Sequence, residues 1–207
     1  MVSYQEMFRE TFTLTKIFYL KRYMSFYKNA GGMVRPRNRG ELLNEIRKRF
    51  KRSQYNLNDI DTSEITDMSS LFYSFYNFEN IDISKLDISG WDVSNVRYMY
   101  KTFAMCRDFN CDLSKWNVSN VKDMGFMFYN CHKFTSDLSK WDTSNATMMN
   151  YMFSGCTNFN SDLSEWDVSK VIDVTGMFYN CTNFDSSSLK WLEESQRRNS
   201  FNEIPLI

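Results

Sequence analysis

The sequence predicts an α/β repeat solenoid: a right-handed stack of about five coils of 25 residues, with helical caps at both ends. Three observations point there. All five tryptophans, Trp91, Trp116, Trp141, Trp166 and Trp191, stand 25 residues apart. Cys106, Cys131, Cys156 and Cys181 keep that interval, as do Phe103, Phe128, Phe153 and Phe178, and also Phe109, Phe134, Phe159 and Phe184. Within one unit the apolar spacing changes character. It alternates at Trp116 and Val118, then runs at threes and fours through Val121, Met124, Met127, Phe128, Cys131 and Phe134. Alternation suits a short parallel strand with one buried face, and the wider spacing suits a helical or 3₁₀ return. Such a unit cannot bury its apolar edge alone, so neighbours stack and share it.

In chain order, residues 1–32 form an amino-terminal amphipathic segment, with Tyr4, Met7, Phe8, Phe12, Ile17, Phe18, Tyr23 and Met24 at helical spacing. Residues 33–56 form a basic helical cap. Leu42, Leu43, Ile46 and Phe50 give its apolar stripe, and the basic run falls in the last turn, where the helix dipole favours cations. The coils then span 57–87, 88–112, 113–137, 138–162 and 163–187, the first lengthened by an insertion near Asn80–Lys85. Residues 188–207 turn polar after Trp191 and make a carboxy-terminal cap. A strand and a return in about 25 residues is the pattern of a leucine-rich-repeat coil.

The stretch Trp-Asp-Val-Ser-Asn-Val, as at Trp91–Val96, then Met, then Met-Phe-x-x-Cys-x-x-Phe, as at Met127–Phe134, resembles the repeat of BspA-like leucine-rich-repeat surface proteins, which recurs in mycoplasma-type surface lipoproteins. Arg35-Pro-Arg-Asn-Arg-Gly-Glu-Leu-Leu resembles the segment that precedes the first repeat in that family, so the likeness runs from Arg35 to Trp191. It implies a binding or adhesion scaffold, often displayed on the cell surface.

Several chemistries lack their residues. His132 is the single histidine, which excludes His-based triads and multi-histidine metal sites. There is no Gly-rich phosphate loop and no Cys-x-x-Cys pair. An active site needs unlike groups converging once, whereas here like groups recur. The expectation is therefore a non-catalytic protein without cofactor or metal. The cysteine column reads as buried thiols acting as small hydrophobes, with Cys111 outside it as the more reactive one. Asp87, Asp112, Asp137 and Asp162 form one acidic column, and Asp61, Asp92, Asp142 and Asp167 another, interrupted by Asn117. Carboxylate ladders hold calcium in some stacks. The competing role for these residues is closing turns through side-chain bonds to the backbone.

Binding residues are sought where the repeat varies. Tyr73, Tyr98, Tyr100, Phe126, Tyr129, Tyr151 and Tyr179 are candidates for a protein partner, since aromatic side chains give contact area at low entropy cost. Their other role would be to cover the core edge. A second class of function rests on Arg35, Arg37, Arg39, Arg47, Lys48, Arg49, Lys51 and Arg52, which would let segment 1–55 bind a membrane surface or nucleic acid. The net charge of zero conceals a division: residues 1–55 carry 13 basic and 4 acidic side chains, and residues 56–207 carry 12 and 21. That polarity also suits self-association of basic and acidic regions. The longest apolar run in the first forty residues, Ile17–Leu20, is far short of the about 20 residues that span a bilayer. The chain as written is expected in the cytoplasm, whereas the family resemblance implies the cell surface.

Overall fold

A computed structural model describes residues 33–76, 78, 80–187, 189 and 191. The expectations for residues 1–32, and for the cap at 188–207 beyond Leu189 and Trp191, lie outside the described residues. The described residues from Pro36 onward belong to one compact unit.

The β-turn is the building element of the repeats. In residues 113–137 the Trp116 N–H donates to the Leu113 carbonyl at 3.0 Å, and Val121 to Val118 at 2.9 Å. Met127 then donates to Met124 at 3.1 Å, Cys131 to Phe128 at 2.9 Å and Phe134 to Cys131 at 3.2 Å. Each bond joins residues three apart and closes one turn. The turn ends are apolar and buried, while the middle residues, such as Ser119-Asn120 and His132-Lys133, stay on or near the surface.

These turns overturn the α/β solenoid and its leucine-rich-repeat architecture. Among the described residues there is no strand. In place of strand ladders, successive repeats form isolated parallel bridges, Asn56 with Asp87, Asp67 with Tyr98, Tyr98 with Asp123, Asp123 with Met148 and Met148 with Asp173. The return contains no α-helix. Its only helical pieces among the described residues are three-residue 3₁₀ turns, Tyr73–Phe75 and Ile83–Lys85, both in the first repeat. The physical reason is in the backbone. A helix needs consecutive negative φ angles, but Lys101, Phe126 and Tyr151 have φ of 56°, 57° and 54°, and Met105 and Asn130 have 65° and 58°. An apolar spacing of three serves successive turns as well as it serves a helical return.

Along this left-turning backbone every second amide points toward the next repeat. The N–H groups of Met124, Phe126, Phe128 and Asn130 donate to the carbonyls of Met148, Asn150, Met152 and Ser154, at 2.7–2.9 Å. The preceding repeat does the same through Met99, Lys101, Phe103 and Met105. In the last repeat the equivalent amides of Val174, Gly176, Phe178 and Asn180 have no acceptor among the described residues.

This ladder sets the core in register. Phe103, Phe128, Phe153 and Phe178 stack at 5.5–5.7 Å between repeats. Each also stacks on the second phenylalanine of its own repeat, as Phe128 does on Phe134 at 4.1 Å. Trp141 is buried and its Nε1 donates to the Leu113 carbonyl at 3.0 Å, a bond that every tryptophan makes to the repeat before it. The tryptophan column is core, with its polar atom satisfied.

Helix α1, Arg39–Phe50, packs against the first repeat. Its Asn38 N-cap accepts the Glu41 N–H at 3.0 Å, while the Glu41 carboxylate accepts the Arg37 N–H at 2.8 Å. Leu42, Ile46 and Phe50 are buried, and Phe50 meets the Phe75 ring edge-on at 5.0 Å. Arg39 Nε donates to the Ser69 carbonyl. In register, Ser69 is the equivalent of Tyr100 and Gly125, whose carbonyls accept amides from the preceding repeat. Arg39 supplies the donor that the first repeat lacks.

Gly155 tests the handedness directly. Its φ is 76° and an added Cβ would collide with the Asn130 side chain. Gly155→Ala is expected to lower the unfolding free energy by about 1–2 kcal/mol or more in urea titrations. Unchanged stability would contradict a left-handed backbone there.

Candidate functional site

Left-handed positions recur once per repeat at Ser70, Lys101, Phe126, Tyr151 and Gly176. At the three central positions they place long side chains half-buried along one line. Phe126 stacks on Tyr151 at 4.9 Å and meets Tyr100 and Tyr129 edge-on at 5.8 and 5.6 Å. Lys101 Nζ lies 5.1 Å from the ring centres of both Tyr100 and Phe126, and 5.9 Å from that of Tyr73. Tyr73 in turn stacks on Tyr76 at 4.8 Å. The result is a continuous aromatic face across four repeats with one ammonium at its centre. A cation over ring faces is stabilised by the ring quadrupole, by about 0.5–1 kcal/mol at exposed sites.

Of the aromatic residues singled out from sequence, the structure gathers Tyr73, Tyr100, Phe126, Tyr129 and Tyr151. It leaves Tyr98, 47% exposed, in the bridge column between Asp67 and Asp123. Tyr179, 58% exposed, makes no ring contact among the described residues. Lys101 and Tyr76 were missed. Lys101 shares its column with Ser70, Phe126, Tyr151 and Gly176, and the glycine was the one signal that this column adopts a conformation favouring glycine.

The basic residues are placed differently. Arg49 grips Asp59 with two bonds of 3.0 and 2.8 Å and also binds Glu45 at 3.1 Å, where Lys48 Nζ joins at the same distance. Arg39 caps the first repeat as described. The Arg37 amide is held by Glu41, and Arg35 is half-buried. Arg47 lies 6.0 Å from the Phe75 ring centre, and Lys51 and Arg52 are exposed.

All five cysteines are free and buried. Cys131 and Cys156 donate their thiols to the carbonyls of Phe103 and Phe128, and burial raises their pKa well above the ordinary value. Burial pushes Cys106 and Cys181 up to about 12. Cys111 is no exception: it is 7% exposed and its pKa is raised, mainly by burial. It belongs to a column after all, with Ser136 and Ser161. Its Sγ accepts the Ile88 N–H as those hydroxyls accept Leu113 and Leu138.

The acidic columns close turns. Asp112, Asp137 and Asp162 accept the N–H of Ser114, Ser139 and Ser164 at 2.9 Å, and Asn117 does the same for Ser119 at 3.2 Å. Among the described residues no group of three or more His, Cys, Asp or Glu side chains is placed to hold a metal ion. None of the described helices is long and apolar enough to cross a membrane.

A family model described as "Mycoplasma protein of unknown function, DUF285" matches residues 42–144 and 127–204. The chain belongs to this family. No curated protein and no solved structure matches it. For this DUF285 member, the match takes in most of α1 and all five repeats.

The aspartate turns make stability depend on pH with a definite sign. The serine amides hold Asp112, Asp137 and Asp162 below the usual carboxylate range, and side-chain bonds to the same serines add to this. A carboxylate with a lowered folded pKa stabilises fully above its unfolded pKa, near 4, and loses that contribution as pH falls through the folded value. Asparagine accepts the same bond without titrating, as Asn117 shows. The Asp112→Asn, Asp137→Asn, Asp162→Asn variant is expected to melt near the wild type at pH 7 and to lose less stability between pH 5 and pH 2.5, all three pH values being set by about where carboxylates titrate. Equal acid slopes in thermal melts would contradict these bonds.

Proposed function

We propose that this protein is a non-catalytic scaffold that binds a protein partner, or adheres, through the aromatic face centred on Lys101. One observation carries the reading: three bulky or charged residues, Lys101, Phe126 and Tyr151, occupy left-handed backbone where the equivalent position of the last repeat is Gly176. A non-glycine residue there costs about 1–2 kcal/mol. Folding alone would favour glycine throughout the column. What the larger side chains supply is an uninterrupted surface of rings, the residue class that dominates binding energy at interfaces.

The repeated columns support the non-catalytic part, since each presents one kind of group many times. The likeness of the repeat to BspA-like surface proteins supports adhesion and display at the cell surface. Rigid stacking of repeats favours binding without reorganisation, which limits the entropy cost of association.

The face is tested with Tyr100→Ser, Phe126→Ser and Tyr151→Ser combined, beside Arg47→Gln, Lys51→Gln and Arg52→Gln combined. All six positions are at least partly exposed, so both variants are expected to keep the wild-type circular dichroism spectrum. Partner capture on immobilised protein should fall by about tenfold or more for the aromatic variant and persist for the basic one. Loss with the basic variant alone, accompanied by salt-sensitive binding to anionic vesicles or duplex DNA, would overturn the reading.

A further inference from the structure

The first repeat breaks the pattern at one place. In the second to fifth repeats the last phenylalanine, at 109, 134, 159 or 184, stacks 4.1–4.2 Å from the earlier phenylalanine of its own repeat. The equivalent Phe78 leaves this column: it is 56% exposed and lies tilted, 5.9 Å from Phe75. The insertion near Asn80–Lys85 follows it directly. At this break is a cavity of about 330 Å³, with Phe72, Phe75, Ile81 and Ile83 among its apolar walls. Tyr76, Phe78, Arg107 and Asp108, all exposed, form its rim.

The rim has a net sign. Asp108 is paired with Lys133 at 2.9 Å, whereas Arg107 makes no ion pair among the described residues. Arg107 fills a slot held by His132, Thr157 and Thr182 in later repeats, so this pairing of guanidinium and apolar hollow occurs once. The hollow is continuous with the aromatic face, because Tyr76 of the rim stacks on Tyr73.

We infer that this cavity seats one bulky apolar side chain of a peptide partner, phenylalanine or leucine in size, whose neighbouring carboxylate meets Arg107. The volume falls in the range of about 300–1,000 Å³ typical of ligand sites. A desolvated apolar anchor beside a charged rim is the arrangement that concentrates binding energy in few residues. The inference deepens the reading of the aromatic face as a protein-binding surface and rests on it for the identity of the ligand as a peptide.

The test uses the full chain labelled with ¹⁵N, titrated with N-acetylphenylalanine and separately with N-acetylphenylalanine amide. Both probes are expected to shift the backbone amides of Cys106 and Arg107, the acid binding about fivefold more tightly than the amide. Arg107→Gln, at an exposed position, should abolish that preference and keep the shifts. Shifts absent at Cys106 and Arg107 with both probes would overturn the inference, as would equal affinity of acid and amide for the wild type. These probes carry a single ring, so Tyr151→Ser should leave their binding unchanged. Failure of the aromatic face to capture a partner is therefore read separately from failure of the cavity.

Discussion

An amide buried beside an apolar core must find an acceptor, and in this protein the next repeat supplies it. The Met124, Phe126, Phe128 and Asn130 amides cross to the following repeat, while the Met127, Tyr129 and Cys131 amides close turns within their own. Both sets are satisfied in a backbone that turns left-handed at every fourth residue, at Phe126 and Asn130. The phenylalanine stacks depend on this arrangement, because it fixes one spacing and one register between neighbours. So does the role of Arg39, which replaces the missing neighbour at the first repeat.

The same constraint produces the surface. Left-handed residues fall at the same point of successive repeats, so their side chains line up. Lys101, Phe126 and Tyr151 are brought together by backbone geometry, with Tyr73 and Tyr100 packed beside Lys101. Where the repeat is interrupted, at Phe78 and the insertion after it, regular stacking ends and the cavity lies at that point. Periodicity thus makes the face, and its single break makes the hollow beside it.

Much of this was legible in the sequence and some was misread for a definable reason. The 25-residue columns identified the buried Trp, Phe and Cys positions, and Asp or Asn before each Leu-Ser or Val-Ser pair signalled turn closure. Reading along the chain failed at the return, because an apolar spacing of three is shared by helical returns and consecutive turns. Reading down the columns would have done better. Met105, Asn130, Gly155 and Asn180 form one column, and Lys101, Phe126, Tyr151 and Gly176 end another. Glycine or asparagine in one copy marks the left-handed position for all copies. The same vertical reading places Cys111 with Ser136 and Ser161 as an acceptor. The contact of Lys101 with three rings had no such signal, since a lysine among tyrosines reads as ordinary surface.

The most direct measurement is of scalar couplings across hydrogen bonds in the labelled protein. Couplings are expected from the Phe126 nitrogen to the Asn150 carbonyl carbon and from the Phe128 nitrogen to that of Met152. Couplings from Phe128 and Cys131 to carbonyls four residues earlier in their own repeat would show a helical return and contradict it.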